Sequence, residues 1–186
     1  METTQSINII NQMLQESKRS LHRNSFYFIL WGIILLPAAF MDFFLYGQAY
    51  SWLGWPIVGA IGGIVSGIYG SKEGRRSGEQ TIGDRISMFT WGAFVFALLF
   101  VLFYSIANRL STYPLVLLVS GMATFISGGI SKFRPFLLGA AALALGALLC
   151  AFFVQSRYHG LVFIVAMVLG YLIPGLLLKK TEHAEA

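Results

Sequence analysis

The stretch VGAIGGIVSGIYGSKEGRR, residues 58–76, decides the fold of this chain, because its six glycines suit either a phosphate-binding loop or a closely packed helix. A Walker loop has the pattern GxxxxGK[ST] and follows a β-strand, so that its backbone N–H groups surround a phosphate. Here the order is Gly70, Ser71, Lys72, and a long apolar run precedes these residues instead of a strand pattern. The stretch therefore predicts a helix rather than a nucleotide-binding loop.

Three glycines of this helix recur at every fourth position, in the spacing GxxxGxxxG known as a glycine zipper. Positions four apart share one face of a helix, and in lipid such small residues let two helices approach closely. The fourth apolar run repeats the spacing with hydroxyl residues and a glycine. The helix-packing residues predicted from these two runs are Gly59, Gly63, Gly67, Ser120, Thr124 and Gly128. The spacing leaves open whether the partner helix belongs to the same chain or to another copy.

The composition indicates that lipid is the solvent of these helices. Of the 186 residues, 56% are hydrophobic and 11% are charged, whereas a soluble domain carries roughly 25% charged residues. Only helices and closed barrels satisfy their backbone hydrogen bonds in lipid, and long continuous apolar runs favour helices over barrel strands. The sequence therefore predicts an all-α, polytopic membrane protein.

Six apolar runs reach the length of about 20 residues that a membrane crossing needs. They cover 26–46, 52–70, 86–107, 113–131, 136–154 and 161–178. The predicted domains are a cytoplasmic amphipathic segment over 1–24, a six-helix transmembrane domain over 25–180 and a cytoplasmic tail over 181–186.

The basic residues predict the orientation of the six spans. Eleven of the thirteen Lys and Arg residues fall in the amino-terminal segment, the second-to-third and fourth-to-fifth connections, and the tail. Only Arg109 and Arg157 fall on the other side. Because basic loops remain cytoplasmic, both termini are predicted to be cytoplasmic. The net charge of +5 is thus a topology signal, and nucleic acid is not a predicted partner.

Paired glycine landmarks predict that the chain consists of three two-helix repeats. The early and late glycines of the three hairpins are Gly32 and Gly67, Gly92 and Gly128, and Gly139 and Gly175. The members of each pair are 35, 36 and 36 residues apart. Near-equal offsets are typical of repeated units. Hairpins that all start on one side would be parallel repeats about an axis along the membrane normal.

Asp42 is the acidic residue that lies within a predicted span, near the end of the first run. An ionisable residue inside a span is a functional hypothesis by default, here for proton or cation coupling. The alternative is structural, because Asp42 lies close enough to the interface to reach headgroup water or to pair with Arg109 or Arg157. Both interpretations remain open, and these three residues are the candidate functional residues.

No catalytic, cofactor-binding or metal site is predicted. The histidines, His22, His159 and His183, have no metal-ligand spacing, and no GxSxG or Ser/His/Asp grouping occurs. The single cysteine, Cys150, lies in an apolar run and is interpreted as a small buried hydrophobe. The sequence therefore predicts a protein that is not an enzyme.

The amino-terminal segment predicts a helix with one apolar face. Ile7, Ile10, Leu14 and Leu21 recur at helical spacing between polar residues. Such a helix either lies on the membrane surface or places its apolar face in the groove of a cytosolic protein. The predicted partners are therefore the lipid bilayer and a cytosolic protein bound through residues 4–23, or a second copy of the chain.

Four runs carry a family resemblance: NSFYFILWG (24–32), IVSGIYG (64–70), FISGGISKFRP (125–135) and LIPGLLLKK (172–180). With them the chain resembles an uncharacterised family of small six-span bacterial integral membrane proteins, which supplies no catalytic residues. The resemblance implies a location in the bacterial cytoplasmic (inner) membrane. The predicted function is a non-enzymatic interaction or regulatory component with a cytosolic or in-membrane partner. The alternative is a small transporter or channel for a solute or an ion.

Overall fold

A computed structural model describes residues 25–76 and 82–184, and every regular element in these two ranges is helical. The helices are α1 (Ser25–Phe44), α2 (Gly54–Arg76), α3 (Ile82–Asn108), α4 (Tyr113–Ser131), α5 (Arg134–Leu148), α6 (His159–Met167) and α7 (Ile173–Ala184). The predicted amphipathic segment over 1–24 lies outside the described residues.

Two wider turns modify the last part of the chain. A π-helical turn over Leu149–Phe153 extends α5, and a second one over Val168–Leu172 joins α6 to α7 in one continuous helix. Pro174 follows the second turn and has no N–H to donate to the carbonyl of Gly170, four residues earlier. A π turn accommodates such a break within a helix.

Six helical segments are long and apolar enough to cross a membrane, which confirms the number predicted from the sequence. They are Ser25–Phe44, Ser51–Lys72, Arg85–Asn108, Tyr113–Ser131, Arg134–Phe153 and Ser156–Thr181. The boundaries differ from the predicted ones by a few residues, chiefly in the sixth segment. There a 3₁₀ turn at Ser156–Tyr158 starts the helix earlier.

The six membrane-length segments alternate in direction along the chain, so the bundle has two ends. The end that contains Asp42, where α1, α3 and α5 finish, is called the Asp42 end. The opposite end, which contains Lys179, is called the Lys179 end. Near the Asp42 end a Cβ at Gly54 would lie 3.2 Å from the Cα of Ala38, and this contact places the start of α2 beside the end of α1.

An aromatic cluster forms the centre of the bundle near the Lys179 end. Phe28 of α1 stacks on Phe136 of α5 with ring centroids 4.2 Å apart, and it also meets Tyr171 at 4.9 Å and Trp91 of α3 at 5.8 Å. Phe28, Phe136 and Tyr171 are buried. Because aromatic rings bring the largest contact area per residue, this cluster fixes α1 between α3, α5 and the last span.

Glycines bring α5 and the last span unusually close. A Cβ at Gly139 would lie 2.8 Å from the carbonyl oxygen of Gly170, and one at Gly146 would lie 2.9 Å from the Cβ of Ala166. Helices in lipid associate chiefly through such close van der Waals contact. The carbonyl of Gly170, to which Pro174 cannot donate, thus lies directly against the backbone of α5.

On α2, the glycines that contact α1 are outside the predicted glycine-zipper set. Gly54 and Gly62 face α1, and a Cβ at Gly62 would lie 2.8 Å from the ring of Trp31. Gly59, Gly63 and Gly67 are exposed instead, and nothing lies within 4 Å of a Cβ at any of them. The physical reason is that a repeat of four defines a face of a helix without defining what covers it.

The two helices α2 and α3 lie at the periphery of the bundle. Within their apolar stretches, 11% of α2 and 6% of α3 are buried, compared with 39% for α4 and for α5 and 44% for the last span. Most of the surface of α2 and α3 therefore faces away from the rest of the described chain.

Candidate functional site

The polar cluster at the Asp42 end is centred on Tyr113. The hydroxyl of Tyr113 donates a hydrogen bond to Oδ2 of Asp42, with 2.5 Å between the oxygens. Both residues are half-buried, one in the last turn of α1 and the other at the first position of α4. A hydrogen bond to an ionised carboxylate is among the stronger polar contacts in proteins, so this contact ties α1 to α4.

A buried histidine forms the second half of the cluster. His159, at the first position of α6, lies with Nε2 3.0 Å from the carbonyl oxygen of Val154 and with Nδ1 2.6 Å from Oγ of Ser111. Since the carbonyl can only accept, Nε2 carries the proton. In the neutral ring Nδ1 then accepts from the Ser111 hydroxyl. His159 thereby joins the end of α5 and the α3–α4 connection to α6.

Aromatic rings shield the inner side of this cluster. The rings of Trp55, Tyr113 and Phe163 are mutually edge-on, with centroid separations of 5.4 to 5.6 Å. The ring of His159 lies 6.3 Å from that of Tyr113. The cluster therefore has polar groups towards the end of the bundle and a packed aromatic wall towards its centre.

The local sequence explains why Ser111 and Tyr113 reach two different helices. Arg109 adopts a left-handed φ of 54° and ends α3, and Pro114 lies in the first turn of α4, where its missing N–H costs no hydrogen bond. The connection between the two helices is therefore short. Ser111 points towards α6 while Tyr113 points towards α1, as their hydrogen bonds require.

The structure places the two arginines apart from the Asp42 contact. Arg109 ends α3, Arg157 lies in the 3₁₀ turn before α6, and both side chains are exposed. The hydrogen-bond partner of Asp42 among the described residues is Tyr113, not either arginine. Sequence reasoning named Asp42 but did not identify Tyr113 as its partner.

Three hydroxyl groups of α4 bond to their own helix, and two of them are buried. Thr124 donates to the carbonyl of Ser120 at 2.8 Å, Ser127 to that of Ala123 at 2.9 Å, and Ser131 to that of Ser127 at 2.7 Å. With their donors bonded to the backbone, Thr124 and Ser127 act as small packing residues. Gly128, on the same face, packs closely against α5, since a Cβ there would lie 2.9 Å from the Cβ of Phe136.

The polar cluster at the Asp42 end is called the clamp, because its hydrogen bonds hold the ends of several helices together. No group of three or more His, Cys, Asp or Glu side chains that could hold a metal ion occurs among the described residues. Cys150 is buried and free at the end of α5. The cluster joins α1, α4, α5 and α6 through one carboxylate, one phenol, one imidazole and one hydroxyl.

Sequence reasoning treated His159 only as a residue without metal-ligand spacing. A signal was nevertheless present, because a histidine at the start of an apolar run needs polar partners when it is buried. Comparison of the chain with protein-family models, with curated proteins and with solved structures finds no match.

Proposed function

We propose that this chain is a multi-pass protein of the bacterial cytoplasmic membrane, in which the six apolar helices cross the bilayer and both termini are cytoplasmic. The placement of charge supports this orientation. Exposed basic side chains at the Lys179 end are Lys72, Arg85, Lys132, Arg134, Lys179 and Lys180. The Asp42 end has Arg109 and Arg157. Under the positive-inside rule the Lys179 end is the cytoplasmic one.

The three hairpins of this bundle are proposed to be parallel repeats of one two-helix unit. The support is the near-equal spacing of their glycine pairs. Corresponding glycines now have different surroundings, since Gly67 is open and Gly128 is packed against α5. In this proposal the spacing of the glycines reflects the repeated two-helix unit. The surroundings of corresponding glycines differ because α2 and α3, one from each of the first two hairpins, lie at the periphery of the bundle.

The proposed activity is non-enzymatic: the protein is an interaction or regulatory component that binds a partner inside the membrane. The observation that carries this proposal is the outward direction of Gly59 and Gly63, whose missing side chains leave the backbone of α2 open. A glycine in a helix costs roughly 0.5–1 kcal/mol relative to alanine. In lipid that cost is offset where a second helix packs closely against the glycines.

The partner proposed for this face is a helix of a second copy or of another membrane protein, with the glycines acting as a glycine zipper. Residues 4–23 are proposed as a second contact, for a cytosolic protein or for the membrane surface. The alternative of a small transporter or channel gains less support. The hydroxyls of Thr124 and Ser127 are bonded to their own backbone, and Asp42 lies in a separate cluster at one end.

A photo-reactive amino acid at position 63 tests the in-membrane contact. The matched control is position 92 on α3, because Gly63 and Gly92 are both exposed glycines with open space around a Cβ. We expect an adduct of one defined mass from position 63 in intact membranes and none from position 92. We also expect Gly63→Leu, but not Gly92→Leu, to reduce the size of the complex in mild detergent. Equal behaviour of the two positions in both measurements would contradict the proposal.

A further inference from the structure

A groove on the outer side of α2 ends at the side chain of Lys72. It is an open groove with a volume of about 490 Å³. The described residues that line it are Ile64, Gly67, Ile68, Ser71 and Lys72. The missing side chain of Gly67 opens the groove, since nothing lies within 4 Å of a Cβ there.

The groove is apolar along most of its length and polar at the Lys179 end. Ile64 and Ile68 are 63% and 53% exposed, and they form its aliphatic part. Ser71 donates its hydroxyl proton to the carbonyl of Gly67 at 2.7 Å, so that hydroxyl is engaged with its own helix. Lys72 is exposed and supplies the positive charge of the groove.

The length of the groove fits one leaflet of a bilayer. From Ile64 to Lys72 a helix rises about 12 Å, at about 1.5 Å per residue. The hydrocarbon core is roughly 30 Å thick, so one leaflet accounts for about half of that. With Lys72 at the headgroup level, the aliphatic part lies at the depth of the first acyl segments.

From this geometry, and resting on the proposed insertion of the six helices in a bilayer with the Lys179 end cytoplasmic, we infer that the groove binds one anionic phospholipid of the surrounding bilayer. An acyl chain lies along Ile64, Gly67 and Ile68, and the phosphate pairs with the ammonium group of Lys72. A lysine near an anionic membrane surface contributes about 1 kcal/mol to the free energy of binding to that surface. The apolar part gives the lipid a fixed place beside that charge.

A second copy of the chain fits this part of α2 less well. In a two-fold interface each residue near the axis faces its own equivalent, so an interface that reached Lys72 would bring two ammonium groups together. Right-handed glycine-mediated helix pairs cross at about 40°, and their ends diverge. A crossing at Gly59 and Gly63 therefore leaves space for a lipid near Lys72. The lipid site does not depend on that crossing.

Lipid retention by the purified full chain tests the site. The protein is reconstituted with equal amounts of phosphatidylglycerol and phosphatidylcholine, extracted in mild detergent, and its bound lipids are counted by native mass spectrometry. The variants are Lys72→Gln and Gly67→Leu. The matched controls are Lys132→Gln, an exposed cation at the same end, and Gly129→Leu, an exposed glycine with open space around it.

We expect the native chain to retain phosphatidylglycerol in preference to phosphatidylcholine. Lys72→Gln should lower that preference about five-fold, in keeping with the charge contribution given above, and Gly67→Leu should lower the retention of both lipids. The two control variants should retain the native pattern. If Gly67→Leu does not fold, the lipid preference of Lys72→Gln compared with that of Lys132→Gln tests the site.

Three results would overturn the inference. The first is an unchanged preference in Lys72→Gln. The second is an equal loss in Lys132→Gln, which would indicate a diffuse effect of charge. The third is a Gly67→Leu protein that retains its lipids but forms smaller complexes, which would assign the groove to a second copy. A failed crosslink at position 63 would leave the lipid result unaffected, so the two proposals can fail separately.

Discussion

The phenol of Tyr113 donates a hydrogen bond to the carboxylate of Asp42 across 2.5 Å, and this contact joins the first residue of α4 to the last turn of α1. The two residues are 71 positions apart in the sequence. Each has an ordinary reason to lie near a membrane interface. Their contact gives Asp42 a hydrogen-bond partner within the bundle, and substitution of either residue can separate that contact from proton or cation coupling.

Replacing Tyr113 by Phe should lower the free energy of unfolding by about 1–2 kcal/mol, because a half-buried carboxylate loses its charged hydrogen bond. The aromatic packing against Trp55 and Phe163 is kept, so the loss reports the hydroxyl alone. Thermal or denaturant unfolding in detergent measures it. Tyr158→Phe is the control, since Tyr158 is exposed. An equal loss in both variants would show that the hydroxyl of Tyr113 contributes nothing specific.

A double-mutant cycle with Asp42→Asn extends this measurement. If the contact is the main role of Asp42, the double variant should lose clearly less free energy of unfolding than the sum of the two single losses. The reason is that either substitution alone already removes the hydrogen bond. Strict additivity would contradict that expectation. Native stability in Asp42→Asn combined with loss of an ion-coupled activity would assign the residue to ion coupling instead.

Ser111→Ala should cost about 1 kcal/mol, the usual net value of one hydrogen bond. His159→Ala should cost more, since it removes the contacts to both Ser111 and Val154 and leaves a cavity in a buried site. The same unfolding assay measures both variants. Ser156→Ala, at an exposed position in the neighbouring turn, serves as the reference. A smaller loss for His159→Ala than for Ser111→Ala would contradict the proposed geometry of the clamp.

Gly139→Ala should destabilise the protein by about 1–3 kcal/mol, the usual cost of overpacking. The added Cβ would lie 2.8 Å from the carbonyl oxygen of Gly170, so the backbones of α5 and the last span must separate. Gly129→Ala is the matched control, because a Cβ there meets open space. That change should be neutral or stabilise by up to about 1 kcal/mol. The close approach would be refuted if both variants were equally stable.

The orientation can be read from the two ends of one helix. Ser156 and Thr181 are exposed, uncharged and at opposite ends of the last span, so a cysteine at either leaves the charge asymmetry unchanged. In a Cys150→Ala background we expect a membrane-impermeant maleimide added to intact cells to label Ser156→Cys. Thr181→Cys should react only after the membrane is permeabilised. The reverse pattern would place the termini outside.

The sequence was sufficient for the number and approximate limits of the spans, because bilayer thickness imposes a length that composition alone reveals. It was not sufficient for the lateral arrangement of the helices. The spacing of Gly59, Gly63 and Gly67 predicts a helix-packing face, whereas the glycines of α2 that contact α1 are Gly54, Gly62 and Gly70. Periodicity defines faces, and neighbours depend on the complete bundle.

The candidate site shows the same limit at the level of single residues. Asp42 could be identified from the sequence because a carboxylate in an apolar run is conspicuous. Its partner could not, since pairing with Tyr113 depends on where α4 begins relative to α1. The partners of His159 depend likewise on the ends of α3 and α5, which only the folded bundle brings together.

The sparse burial of α3 has a consequence for how this chain can diverge in evolution. Its outer face presents Phe89, Phe96, Phe100 and Phe103 to the surroundings, and few contacts within the chain constrain their shape. Selection at these positions then acts on apolarity alone, so phenylalanine, leucine and isoleucine should exchange freely there. Phe28 and Gly139, which fit fixed neighbours, should remain recognisable long after α3 has lost its similarity.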